Sequence, residues 1–439
     1  MKQKQRLVVI GNGMAGARLV EEVLARQGGD LFEIVVFGNE PYGNYNRILL
    51  SNVLAGTHDP KDIFINPLTW YEENQVTLHV GRPVSAIDPR GKVVHTADGL
   101  TEPYDRLVIA TGSSAYVPQL ENLVGEQGQM KEGVFVFRTL DDCERMISFS
   151  QTAQRAAVIG GGLLGLEAAR GLLNRKLDVD VIHVTAYPMN VQLDPPSGKI
   201  LQQALAAMGV RLHLDKRTTA VQGNGHITGL TFQDGSELAC DMLVISTGIR
   251  PNVELARRAG LLVEQGIVVR DDLSCPGAPG IYALGECAQH RSQTYGLVAP
   301  LWDQAQILAE RLTNDASNTL YEGSRISTKL KVMGIDLAVM GEKDARSDQD
   351  EVVTYTEPAR GVYKKLIIRD GQLAGAIVMG DGQSIPRLLQ AFERGSALPA
   401  NRAELLFPLA NEARAINVAD LPDTAQICNC NGVSKGKLL

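Results

Sequence analysis

The sequence predicts an α/β fold in which one strand–turn–helix unit is used twice. The first observation is the stretch "LVVIGNGMAGARLVEEV" (residues 7–23), an apolar run interrupted by Gly11-Asn12-Gly13-Met14-Ala15-Gly16 and resumed with helical periodicity. The second is its repetition as Ala157-Val158-Ile159-Gly160-Gly161-Gly162-Leu163-Leu164-Gly165-Leu166-Glu167. From Gly11 to Gly160 is 149 positions, about one domain length. The third is composition: 439 residues, 44% hydrophobic and 21% charged with 44 glycines, describe a globular chain too long for one core.

Each unit has the same physical logic. The first glycine permits a tight turn, the second lets a ligand's pyrophosphate approach the backbone, and the third lets helix pack on strand. The helix N-terminus then attracts the negative charge of the phosphates. Two Rossmann-like dinucleotide-binding domains follow. After the first unit, residues 32–37 run apolar as a second strand and Glu40 stands where a carboxylate hydrogen-bonds ribose hydroxyls. After the second unit, residues 179–184 form the corresponding strand, and the ribose-reading position falls on or near His183. No acid stands there, and no Arg that would pair a 2′-phosphate occurs from His183 to Met189, so NADH and NADPH both stay open. His183 itself reads either as a ribose neighbour or as an ordinary strand residue.

Charge and cysteine usage exclude other classes. A net charge of −7 offers no basic excess to replace phosphate counterions, so nucleic acid is not an expected partner. Lys2 and Lys4 precede an apolar run that ends at Ile10, which is too short for a signal peptide, and no run spans a bilayer. Six cysteines in so long a chain do not make a disulfide framework, and the expected compartment is the reducing cytoplasm.

Three further stretches carry a family resemblance: Asp105-Arg106-Leu107-Val108-Ile109-Ala110-Thr111-Gly112, then Asp241 to Asn252 (DMLVISTGIRPN), then Gly280 to Ala288 (GIYALGECA). With the two glycine units, their order over roughly residues 5–320 resembles the pyridine-nucleotide:flavin oxidoreductases of glutathione-reductase type. The resemblance implies an FAD domain from residues 1–116 and 246–320, with an NAD(P)H domain, 117–245, inserted between them. It implies that Gly11, Gly13 and Gly16, with Met14 and Ala15, hold the FAD pyrophosphate, and that Glu40 holds the ribose. Thr111, Gly112 and Gly285 would line the FAD. Glu286 replaces the family's Asp, whose carboxylate bonds the ribityl chain, so the loop shifts or the contact is made differently. Gly160, Gly162, Leu164, Gly165 and His183 would line NAD(P)H, with Glu167 beside the nicotinamide as a catalytic residue, and Gly248 would be a further cofactor-binding residue.

No cysteine occurs before Cys143, which excludes the helix-borne cysteine pair of the disulfide reductases and the single cysteine of the peroxide-reducing subgroup. Residues Tyr45 to Ser51 (YNRILLS) instead resemble a stretch shared by rubredoxin and ferredoxin reductases and by nitrite reductase large subunits. Arg47 would then be a catalytic, flavin-site cation, since a guanidinium stabilises the negative charge of reduced flavin. Asn46 replaces the usual Asp, and Asn52 the Lys common in ferredoxin reductases.

Residues 327–342 and 362–381 alternate as strands, with Asp370-Gly371 as a hairpin turn, and predict a third, α+β domain over 321–400. "SIPRLLQAFERGSALP" and "AELLFPLANEARA" read as amphipathic helices. Within 401–439, Gln426 to Lys437 (QICNCNGVSKGK) resembles the start of the 2Fe-2S module of nitrite reductase large subunits and of assimilatory nitrate reductase electron-transfer subunits. There Cys428 and Cys430 would be two of the four thiolates a cluster needs. The chain stops at Leu439, so it is expected to be a piece of a longer protein and to hold no iron by itself.

The resemblance implies an FAD-dependent NAD(P)H oxidoreductase passing electrons to a 2Fe-2S module and onward to a sirohaem or molybdenum centre that reduces nitrite or nitrate. The alternatives are a reductase for a separate ferredoxin or rubredoxin, and a non-catalytic NADH-binding flavoprotein.

Overall fold

The computed structural model describes residues 3–125, 128–332 and 334–407, and the backbone of 426–428, 433–434 and 436. The apolar run Gln5–Ile10 is the central strand of a five-stranded parallel sheet, in the order Ile281–Ala283, Arg106–Ile109, Gln5–Ile10, Phe32–Phe37, Thr77–His79. Leu7, Val8 and Val9 are fully buried there, as central parallel strands covered on both faces must be. The second unit repeats the pattern: Val134–Val136, Met242–Ile245, Arg155–Ile159, Asp178–Ile182 and Arg211–His213 form a second parallel five-stranded sheet. Each sheet also carries a three-stranded antiparallel crossover, Val84–Asp88 with Val93–Thr96 and Thr101–Pro103 in the first, and Thr218–Gln222 with Gly229–Phe232 and Glu237–Ala239 in the second. The chain returns to the first sheet only at Ile281–Ala283. The long helix Val298–Thr313 then lies against the helix Met14–Ala25, where Arg18 sits over the Trp302 ring.

The third sheet is antiparallel, in the order Ser327–Val332, Ile335–Gly341, Gln372–Met379, Val362–Arg369, Glu351–Glu357. Asp370 and Gly371 both adopt positive φ, 52° and 72°, which is what a two-residue hairpin needs. The stretch 327–342 is two strands rather than one, broken at Gly334, whose φ of 94° reverses the chain. Helix Ile385–Arg394 covers one face of this sheet through Ile385, Leu388 and Phe392. The expected second helix is only the short turn Ala403–Leu406, and the rest of that expectation lies outside the described residues.

The three units share an interior. Tyr45, Leu50 and Leu54 of the first, Leu166 and Leu172 of the second, and Tyr363 and Ile377 of the third belong to one buried cluster. Helix Leu50–Leu54 meets helix Leu163–Asn174 so closely that a Cβ on Gly171 would stand 2.7 Å from Leu54 Cγ. Burying one such aliphatic side chain contributes roughly 1.5–3 kcal/mol, so the junction between the nucleotide units is a stable platform.

Candidate active site

The two glycine turns are geometrically alike, and the reason each glycine is present differs by position. Gly11 and Gly160 have φ of 117° and 120°, and a Cβ on either would collide with a carbonyl oxygen, Ala110 O at 2.1 Å or Ser246 O at 2.0 Å. Gly16 and Gly165 sit 2.0 and 1.9 Å, measured from an added Cβ, from the carbonyl of the first glycine in their own turn. Those four are dictated by the protein's own backbone. Gly13 and Gly162 are not: their φ values are −82° and −81°, and an added Cβ would meet nothing within 4 Å. The chain needs no glycine there. A pyrophosphate approaching the backbone would be a reason for glycine at both positions.

The helix starts support this. Gly13 and Gly162 are the N-cap residues of Met14–Ala25 and Leu163–Asn174, and neither helix has a side-chain cap or an acid in its first turn. Two other long helices are capped by Thr139 and Asp194, so the fold uses caps elsewhere. The uncapped amides are free to take an anion. Beside the first turn, Asn12 accepts a 2.6 Å bond from Tyr71 through Oδ1, while its buried Nδ2 has no protein partner. The residues present fit a dinucleotide at each turn.

Around the first turn a charged network collects several predicted residues. Arg47 pairs with Glu40, and Tyr45 Oη donates to Glu40 Oε2 at 2.7 Å. Arg47 also donates to the Arg138 carbonyl at 3.2 Å. Arg138 in turn pairs with Glu286 and donates to the Ser113 carbonyl at 3.1 Å and to Ser113 Oγ at 2.9 Å. Ser113 Oγ completes the triangle by donating to Glu286 Oε2 at 2.7 Å. The Glu286 carboxylate thus meets an arginine that follows the first strand of the second sheet. Gly285 precedes it with φ of 87°, its amide donating to Gln304 Oε1 at 2.8 Å.

Thr111 and Gly112 are stitched to the end of the strand Ile249–Pro251: Thr111 Oγ1 donates to the Asn252 carbonyl, and Asn252 Nδ2 to the Thr111 carbonyl, both at 2.8 Å. Gly248, with φ of 114°, precedes that strand and accepts from Tyr116 N at 2.8 Å. From there a cavity of about 340 Å³ extends over the second turn, lined by Gly160, Gly162, Leu164, His183 and Gly248 among others.

His183 is buried, and both ring nitrogens are engaged: Nδ1 accepts from Gly161 N and Nε2 faces Asn190 Oδ1, each at 3.1 Å. Burial lowers its pKa, so the ring is neutral and donates to Asn190 through Nε2. His183 therefore braces the glycine turn while lining the cavity above it.

Glu167 sits on the second helix, at its contact with Ser51 of the first unit. Burial raises its carboxyl to about 7, opposed by the Ser51 hydrogen bond and by the Arg170 charge. The fold disfavours the carboxylate, so the cost of ionisation accrues as pH rises from the ordinary carboxylate range through 7. The stability gap between Glu167→Gln and the parent is therefore expected to widen in favour of the variant from pH 5 to pH 8, as read by thermal melts. Any pH step near 7 in flavin reduction is expected to vanish in the same variant.

Arg138, Ser113 and Asn190 join the site without having been singled out in the sequence, and Tyr45 and Ser51 join it from the two ends of the YNRILLS stretch. Cys428 ends a short strand, Gln426–Cys428, and Cys430 lies outside the described residues. Among the described residues no group of three or more His, Cys, Asp or Glu side chains is placed to hold a metal ion. Nor is any described helix long and apolar enough to cross a membrane.

Residues 5–305 match the pyridine nucleotide-disulphide oxidoreductase family, and residues 327–396 match the rubredoxin NAD+ reductase C-terminal domain. The chain is 41% identical over 437 residues to the NAD(P)H nitrite reductase of Bacillus subtilis, covering 99% of this chain and 53% of that one. It is 41% identical over 436 residues to the assimilatory nitrate reductase electron transfer subunit of the same organism, covering 99% and 55%. The chain thus spans about half the length of these relatives. The ferredoxin reductase of Rhodopseudomonas palustris has the same fold with a TM-score of 0.80 at 25% identity, covering 90% of this chain and 96% of that one. Two glycine turns built alike, an inserted second sheet, and a match over residues 5–305 lead to one conclusion: the chain belongs to the pyridine nucleotide-disulphide oxidoreductase family, whose cofactors are FAD and NAD(P)H.

Proposed function

We propose that this chain accepts a hydride from NADH or NADPH onto FAD and passes the electrons to a 2Fe-2S module that feeds nitrite or nitrate reduction. The observation that carries the reading is the pair of open glycine positions, Gly13 and Gly162, on two units whose helices meet at Ser51 and Glu167. Two relatives aligned over 99% of this chain, a nitrite reductase and a nitrate reductase electron transfer subunit, supply the direction of electron flow.

In this reading residues 1–116 and 246–320 form the FAD unit and 117–245 the NAD(P)H unit. The turn from Gly11 to Gly16 holds the FAD pyrophosphate, Glu40 faces the ribose with Arg47 neutralising it, and Thr111 and Gly112 shape the bed. The Arg138–Glu286 pair lies along the flavin chain in place of a lone carboxylate. The turn from Gly160 to Gly165 holds NAD(P)H, and Glu167, able to exist protonated near neutral pH, faces the nicotinamide as a hydrogen-bond donor. FAD when bound supplies the conversion of a two-electron hydride into single electrons. The protein's part is to orient the two ligands and keep water from the junction. Four buried free thiols, Cys143, Cys240, Cys275 and Cys287, suit the cytoplasm. Cys428 and Cys430 would ligate the cluster together with thiolates from a longer parent chain.

The match of residues 327–396 to a rubredoxin reductase domain favours a second acceptor, a separate small iron protein. Steady-state assays decide between them. FAD-loaded chain is expected to reduce ferricyanide with NADH or NADPH, and to reduce the 2Fe-2S module of its parent reading frame faster than added rubredoxin or ferredoxin. The opposite order contradicts the first reading.

A further inference from the structure

We propose that Lys343, Tyr363 and Lys365, all in the third domain, are positioning residues for the nicotinamide nucleotide, acting through the loop Met189–Asp194 on the second glycine turn. The proposal rests on the reading that this turn binds NAD(P)H.

The connection is continuous from one domain to the other. Gly161, the middle residue of the turn's first Gly-x-Gly, has both backbone groups held from outside the turn. Its N–H donates to His183 Nδ1 at 3.1 Å, and its carbonyl accepts from Met189 N at 2.8 Å. His183 is fixed in turn by Asn190. Met189 and Asn190 open a loop that lies against the cleft through Asn190, Val191 and Gln192. Val191 is 74% exposed, so burial of its own side chain does little to hold the loop.

Met189 and Leu193, both buried, anchor the loop from within, and polar contacts from the third domain hold it from outside. Lys343 Nζ donates to the carbonyls of Asn190 and Leu193. Tyr363 Oη donates to Asp194 Oδ2 at 2.6 Å, and Lys365 Nζ donates to the same oxygen at 2.9 Å. Asp194 is 4% exposed and also caps the helix Pro195–Ala207 by accepting from Ser197 N at 3.1 Å. Charge-assisted bonds of this kind, in a desolvated place, are the stronger ones. Two lysines and a tyrosine thus clamp both ends of a loop whose first residues clamp the turn. Through the loop, the third domain thereby reaches the backbone of Gly161, between Gly160 and Gly162.

The test compares Lys343→Met and the double variant Tyr363→Phe/Lys365→Met with Lys343→Arg and Lys365→Arg in FAD-loaded chain. NAD+ binding to the oxidised protein is measured by calorimetry, and flavin reduction by stopped flow across NADH concentrations. The expected result is a rise of roughly 3- to 30-fold in the NAD+ dissociation constant and in half-saturating NADH, with the limiting reduction rate held within about two-fold. Visible spectrum and FAD content are expected to be unchanged, and the Arg variants to bind as the parent does. Unchanged NAD+ binding overturns the proposal. So does a parallel fall in limiting rate, FAD content and melting temperature, which marks a merely structural role. A parent chain that binds no NAD+ before any substitution overturns the reading of the turn itself, and this proposal with it.

Discussion

Gly162→Val is expected to give a folded yellow protein, fully loaded with FAD, that NADH and NADPH reduce at least about 100-fold more slowly than the parent. An added Cβ meets no protein atom within 4 Å and the backbone angle, φ of −81°, suits any L-residue, so the variant is expected to fold. It occupies the space above an uncapped helix start, where a pyrophosphate must come close enough to accept from backbone amides. Dithionite is expected to bleach the variant as it does the parent, since that reductant needs no binding site. Stopped-flow reduction against both reagents separates a lost nucleotide site from a lost flavin. Gly160→Val is the informative contrast: with φ of 120° and a carbonyl 2.0 Å from the added Cβ, it is expected to unfold the second unit.

Arg138→Met is expected to weaken FAD retention by about 10- to 100-fold and to lower the melting temperature. The substitution leaves the Glu286 carboxylate with only Ser113 as partner, in a place where its side chain is 14% exposed. Removing one partner of a half-buried pair costs about 1–3 kcal/mol, below the figure for a fully buried pair because solvent reaches part of the arginine. Ultrafiltration of the holoprotein followed by flavin absorbance reads the first effect, and a thermal melt the second. Arg138→Met/Glu286→Met is expected to regain the stability but not the flavin affinity. Equal loss in both variants would show that the pair acts on the fold alone.

What the sequence reveals about this site depends on how local each constraint is. The glycine turns are legible because the collisions that demand glycine arise within a few residues or from the neighbouring strand end, and they recur with the same spacing. Glu40 and His183 are placed by their position after a strand. Arg138 is not legible, because its partner Glu286 lies 148 positions away and no short pattern in Phe135 to Asp141 announces it. Tyr45 stands in a legible stretch, but the bond its hydroxyl accepts from Leu140 N, across 95 positions, does not show there. His183 shows the limit most clearly: spacing finds the residue, while the bonds that decide its role come from Gly161 and from Asn190, seven positions on. In the third domain the Asp370-Gly371 turn is visible, whereas the break at Gly334 is hidden inside a run that alternates throughout. The clamp from Lys343, Tyr363 and Lys365 onto the second unit spans up to 171 positions and leaves no trace in any local pattern.

In the proposed function one chain holds a flavin and a nicotinamide nucleotide in contact. This arrangement is tested most directly by anaerobic titration of the purified, FAD-reconstituted chain with NADH and then NADPH, followed by flavin absorbance. The expected result is a yellow protein that bleaches with one equivalent of at least one nucleotide. A chain that takes up no FAD, or a flavin that neither nucleotide reduces while dithionite does, would contradict it.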